Sequence, residues 1–80
     1  MNKVLIHKDK VGDLMYAVVT PFGVKPFGYD KHHAISCAKL SSVWHQEYAG
    51  KDTEEDYKMW QETFGYKYVG EFFVEHEDEE

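Results

Sequence analysis

This chain has no arginine, one cysteine and two prolines in 80 residues, and each shortage excludes something. A lone Cys37 cannot form a disulfide within the monomer, so the fold must stand on packing, and a reducing compartment is expected. Nine basic residues, all lysine, leave the chain without the planar fork that grips phosphates and base edges. With a net charge of −6, that argues against direct nucleic-acid binding. No basic leader precedes an apolar run, and no run approaches the roughly 20 residues that cross a bilayer. A soluble, cytoplasmic protein with no membrane partner is the expectation.

What is present is aromatic and acidic. Phe, Tyr and Trp make up 16% of the chain, and their large areas help so short a chain to bury a working core. Charge is lopsided: residues 1–50 hold six lysines against four acids, whereas residues 51–80 hold three lysines against eleven acids. The natural division is one domain over residues 1–74 and an acidic tail over 75–80. Charged runs of this kind are usually solvated and disordered.

The segment 52–74, DTEEDYKMWQETFGYKYVGEFFV, carries the clearest pattern. Asp52 or Thr53 can cap a helix whose third residue on is an acid in either register. Tyr57, Trp60 and Phe64 fall at the i, i+3, i+7 spacing of one helical face, predicting an aromatic stripe that belongs to the core. Gly65 stands where a left-handed cap is wanted, and from Tyr66 the period changes from 3.6 to 2. Strict alternation puts Tyr66, Tyr68, Phe72 and Val74 on one face of a strand and Lys67, Val69, Glu71, Phe73 and Glu75 on the other.

Upstream, KVLIHK (3–8) and LMYAVVT (14–20) are β-prone runs around a Gly12-Asp13 reversal, and they pair most simply as an antiparallel hairpin. The tripeptide PFG at 21–23 recurs at 26–28 and reads as two turns around a short extended piece, Val24-Lys25, able to pair as a minor strand. Asp30 can cap a helix over Lys31–Tyr48 in which Ala34, Cys37, Ala38, Leu40, Ser41, Trp44 and Tyr48 gather on one side. A short link joins it to the helix after Thr53, so the two helices are expected side by side. The predicted fold is α+β: β-β-α-α-β, a three-stranded antiparallel sheet with both helices packed on one face.

Candidate chemistry is thin. His33 and Cys37 stand four apart, the spacing of a helical ligand pair, with His7 or His76 as further donors, but no CxxC, HExxH or Cys-rich cluster accompanies them. Cys37 beside His33 also has the residue types for nucleophilic catalysis, yet a mid-helix cysteine among alanines behaves as a small apolar residue far more often. Glu54, Glu55 and Asp56 fall in a first helical turn, where acids complement the dipole without further purpose. No enzyme, no cofactor and no metal are the expectation.

Surface charge remains. Asp52, Glu54, Glu55, Asp56 and Glu62, with Glu75, Glu77, Asp78, Glu79 and Glu80, can present a negative field to a basic protein partner. The arrangement of a hairpin, a helix ending in WQETFG and an aromatic strand opening GYKYVGEFFVE resembles small early or accessory proteins of bacteriophages, including inhibitors of host polymerases or defence systems. The resemblance spans the chain as a pattern of elements and carries no site residues across. It implies a protein in the host cytoplasm that occupies a basic surface on a host complex, in some cases by resembling nucleic acid in charge. The function expected is a non-enzymatic acidic interaction protein, monomer or homodimer, that blocks or modulates a basic, nucleic-acid-handling host protein. The alternative is a small nucleic-acid- or metal-binding module using the aromatic sheet (Tyr66, Tyr68, Phe72, Phe73) or the His33/Cys37 pair.

Overall fold

Two strands buried on both faces set the architecture. β1 (Asn2–Lys8) and β2 (Leu14–Thr20) pair antiparallel, with Leu5 opposite Ala17 and Val4 opposite Val18. Asp9 closes the hairpin, its Oδ1 accepting from the amides of Val11 and Asp13. The Tyr29 hydroxyl donates to its Oδ2 at 2.7 Å. The computed structural model describes residues 2–39 and 52–75.

The sheet has four strands, where three were expected. β3 (Gly23–Gly28) pairs along β2, and β4 (Lys67–Val74) pairs along β1, giving the all-antiparallel order β3-β2-β1-β4. Only the first PFG is a turn. There the Thr20 hydroxyl donates to the Gly23 carbonyl and accepts from the Phe22 amide. The second PFG lies inside β3, where Pro26 is tolerated because an edge strand need not donate on its outer side.

The helices also depart from the expected arrangement, because they cover opposite faces of the sheet. α1 (Lys31–Ala38) starts at Asp30, whose side chain accepts from the His33 amide, and its C-cap is Lys39. Ala34 and Ala38 pack with Val4, Tyr16 and Val18, joined by Ile6, Phe27, Phe72 and Val74. α2 (Glu54–Thr63) instead brings Tyr57 onto Leu5, Ala17 and Val24. Val4 and Leu5 are successive residues of one strand and point to opposite faces, so the two clusters are separated by the sheet itself. The expected continuation of α1 to Tyr48, with Leu40, Ser41, Val43, Trp44 and the link at Ala49-Gly50-Lys51, lies outside the described residues.

α2 is built as its sequence indicates at both ends. Thr53 is the N-cap, its Oγ1 accepting from the Asp56 amide at 3.1 Å. Gly65, at φ 92°, lets the Gly65 and Tyr66 amides turn back onto the carbonyls of Glu62 and Gln61, the paired bonds of a Schellman stop. A side chain at 65 would also meet the Lys10 Cε at 2.7 Å. Thr53→Ala is expected to lower stability by about 1 kcal/mol through loss of the cap, read as a lower urea midpoint at unchanged slope.

Candidate interaction face between α2 and β4

A bulge decides what β4 shows. Ile6 pairs with Gly70 but His7 pairs with Tyr68, so Val69 is an extra residue and the alternation slips at that point. Tyr68 is thereby turned to the α2 face with Glu71 and Phe73, while Phe72 and Val74 remain on the α1 face. The single face predicted for Tyr68, Phe72 and Val74 is divided between the two sides of the sheet.

The aromatic stripe of α2 is not core. Trp60 is 51% exposed, Phe64 54% and Tyr68 41%, and Met59, Val69 and Phe73 are open as well. The buried side chains of α2 are Tyr57 and Gln61, whose i, i+4 seam turns Trp60 and Phe64 onto a flank. There the two rings stack at 6.1 Å. On the opposite flank Glu55, Lys58, Met59 and Glu62 face Gly65–Tyr68 across a groove of about 690 Å³.

The ten acids expected to bind a partner separate into distinct groups. Glu54 is internal machinery: its carboxylate holds the Lys3 ammonium at 2.7 Å and that of Lys58 at 3.0 Å. The hydrogen bond from Lys3, with Lys58 adding to it, keeps the Glu54 carboxyl below the usual range. Glu55 and Glu62 are exposed along the groove, and Asp52 and Asp56 are exposed at the start of α2. None of these four carboxylates has an ion-pair partner among the described residues. Lys3 stands opposite Phe73 in the β1–β4 register and holds Glu54, so α2 begins at the end of the sheet from which the exposed Glu75 leaves. Glu77, Asp78, Glu79 and Glu80 lie outside the described residues.

Beneath this face sits a residue that sequence reading treated only as a spare metal ligand. His7 is 1% exposed and its Nε2 has no hydrogen-bond partner among the described residues. The ring lies edge-to-face with Tyr57 at 5.6 Å and with Tyr68 at 5.5 Å. Burial, with Lys58 adding to it, pushes its pKa below the ordinary 6.5. The Lys58 ammonium stands 4.3 Å from the centre of the Tyr68 ring, and the Tyr68 hydroxyl donates to Glu71 at 2.7 Å.

The metal and nucleophile candidates are placed apart from this face. Cys37 is buried under α1 and burial raises its thiol pKa, while His33 is exposed with its ring against Phe27 at 4.9 Å. His7 is on the other side of the sheet from Cys37, so the two cannot share a ligand set. Among the described residues, no three His, Cys, Asp or Glu side chains converge as a metal site would require. No helix among them is long and apolar enough to cross a membrane. Compared with known proteins, the chain matches no family model, no curated protein and no solved structure.

Proposed function

We propose that this chain is a non-enzymatic interaction module that occupies a basic surface of a partner protein through the face formed by α2 and β4. The observation carrying this reading is the groove between them, where Met59, Tyr66 and Tyr68 supply apolar area and Glu55 and Glu62 line it as carboxylates without ion pairs among the described residues. Aromatic anchors ringed by charge are how interfaces divide their work, the rings giving affinity and the charges steering and selecting. From Asp52 to Thr63 there are five acids against one lysine, so the complementary partner is basic. A host protein that handles nucleic acid is such a partner, and blocking its basic surface is the activity that the phage-type pattern implies.

Exposed rings also raise the nucleic-acid alternative, and the geometry weighs against it. Base stacking needs a free ring face beside cations. The Tyr68 ring already has Lys58 over one face, Trp60 and Phe64 each turn one face to the other, and along the groove the exposed Glu55 and Glu62 repel phosphate against the one exposed cation, Lys67.

Glu55→Gln/Asp56→Gln/Glu62→Gln tests the reading without touching Glu54, whose carboxylate is already paired with Lys3 and Lys58. A partner retained by the native chain at 0.15 M salt is expected to bind the triple variant roughly tenfold more weakly, a loss of about 1.4 kcal/mol, with a shallower salt dependence. Undiminished binding by the variant, or retention of nucleic acid instead of protein, would sink the proposal.

A further inference from the structure

We infer that His7 is an acid-sensitive latch under α2: its protonation releases this helix from the sheet while the sheet stays folded. For its functional consequence, loss of the α2–β4 groove on acidification, the inference rests on the reading above. The latch itself does not depend on that reading.

Three observations combine. First, both nitrogens of an imidazolium carry protons, and Nε2 here is buried with no acceptor for its N–H among the described residues. Second, the groups that face it do not offer compensating charge. From α2 they are the Tyr57 ring and the Lys58 ammonium; from β4, the Tyr68 ring. The nearby carboxylates are committed, Glu54 to Lys3 and Lys58 and Glu71 to Lys3 and the Tyr68 hydroxyl. β2 contributes the uncharged Met15 opposite His7 in register. A cation at His7 would also compete with Lys58 for the same Tyr68 ring. Desolvation without a counter-charge disfavours the charged form strongly.

Third, the two sides of His7 are unequal in how easily they yield. β1 is an interior strand, hydrogen-bonded to β2 along one edge and β4 along the other, so the backbone carrying His7 is held. α2 is ten residues long with two buried side chains, Tyr57 and Gln61. Water therefore reaches the imidazolium by the departure of α2, a local opening that leaves the strands paired. The sign follows from linkage. His7 binds a proton more readily when α2 is open, so the closed form is fully favoured above pH 6.5 and loses ground as the pH falls from there through the lower value of the closed state.

The test is amide hydrogen exchange of the full chain between pH 7.5 and 5.0, with the His7 ring followed by NMR in the same samples and no partner added. Failure of the latch is thus distinct from failure of the interaction reading. Protection factors for Tyr57–Thr63 are expected to fall by up to tenfold per pH unit below about 6.5, while those of Val4 and Leu5 hold. In His7→Phe, which keeps a ring between Tyr57 and Tyr68 and leaves His32 and His33 in place, α2 protection is expected to be independent of pH. The same pH dependence in His7→Phe as in the native chain overturns the inference. So, in the native chain alone, does an α2 whose protection is unchanged while His7 titrates, or helix and strands losing protection together.

Discussion

Truncating Leu5 to alanine is expected to cost about 2–5 kcal/mol, whereas truncating the much larger Trp60 costs no more than about 1 kcal/mol. Leu5 is fully buried at the middle of β1, against Ala17, Val24 and Tyr57. Its removal leaves a void that a sheet pinned on both edges cannot close. Trp60 rests half-exposed against Phe64, and an alanine there gives water access to one ring face and opens no cavity. In a domain whose whole stability is of the order of 0.05–0.15 kcal/mol per residue, the first change threatens the folded state and the second does not. Urea denaturation of both variants decides it: a Trp60→Ala midpoint as low as that of Leu5→Ala would place the ring in the core after all.

That contrast reverses what helical periodicity implies. Tyr57, Trp60 and Phe64 make an apolar stripe on paper, but a helix this short seats one seam, and the seam it buries is Tyr57 with Gln61. Which seam meets the sheet depends on contacts with distant strands, such as Glu54 meeting Lys3 of β1 at the start of the helix, and these leave no trace in the spacing of apolar residues. The Thr53 cap, the Gly65 stop, the Asp30 cap and the β1–β2 hairpin were legible because each depends on residues within a few positions of one another.

The placement of both helices on one face was a misreading, although the strands carried a signal against it. Val4, Leu5 and Ile6, like Tyr16 to Val19, run as unbroken apolar stretches, and a strand covered on one side would alternate instead. Such runs mark strands buried on both faces and imply cover on each side. The short apparent link between the helices pointed the other way. The bulge at Val69 was not legible: Gly70 marks a place where one is permitted, but the slip is set by pairing with His7 and Ile6 on a strand sixty residues away. Since that slip brings Tyr68 over His7, the chemistry of the candidate face depends on a feature that strict alternation erases.

Tyr57→Ala is expected to detach α2, lowering stability by about 3 kcal/mol, at the lower end of the range for losing a buried aromatic ring, while Tyr57→Phe stays within about 1 kcal/mol. Tyr57 is the buried apolar residue through which α2 reaches the sheet, and no hydrogen bond to its hydroxyl is present among the described residues. The cap and the Lys3–Glu54–Lys58 group remain in Tyr57→Ala, but partly exposed ion pairs contribute little by themselves. The variant should therefore keep the β1–β2 and β2–β3 pairing while the amide protection of α2 collapses. It should also act on His7: with the ring removed, water reaches the imidazole, the burial that lowers its pKa is relieved, and its titration moves up toward the ordinary 6.5. Both effects are read in one NMR titration, α2 protection from the amides and the His7 midpoint from the ring protons. A Tyr57→Ala chain that keeps α2 protected and leaves the His7 midpoint where it was would show that this ring is not what fastens the helix.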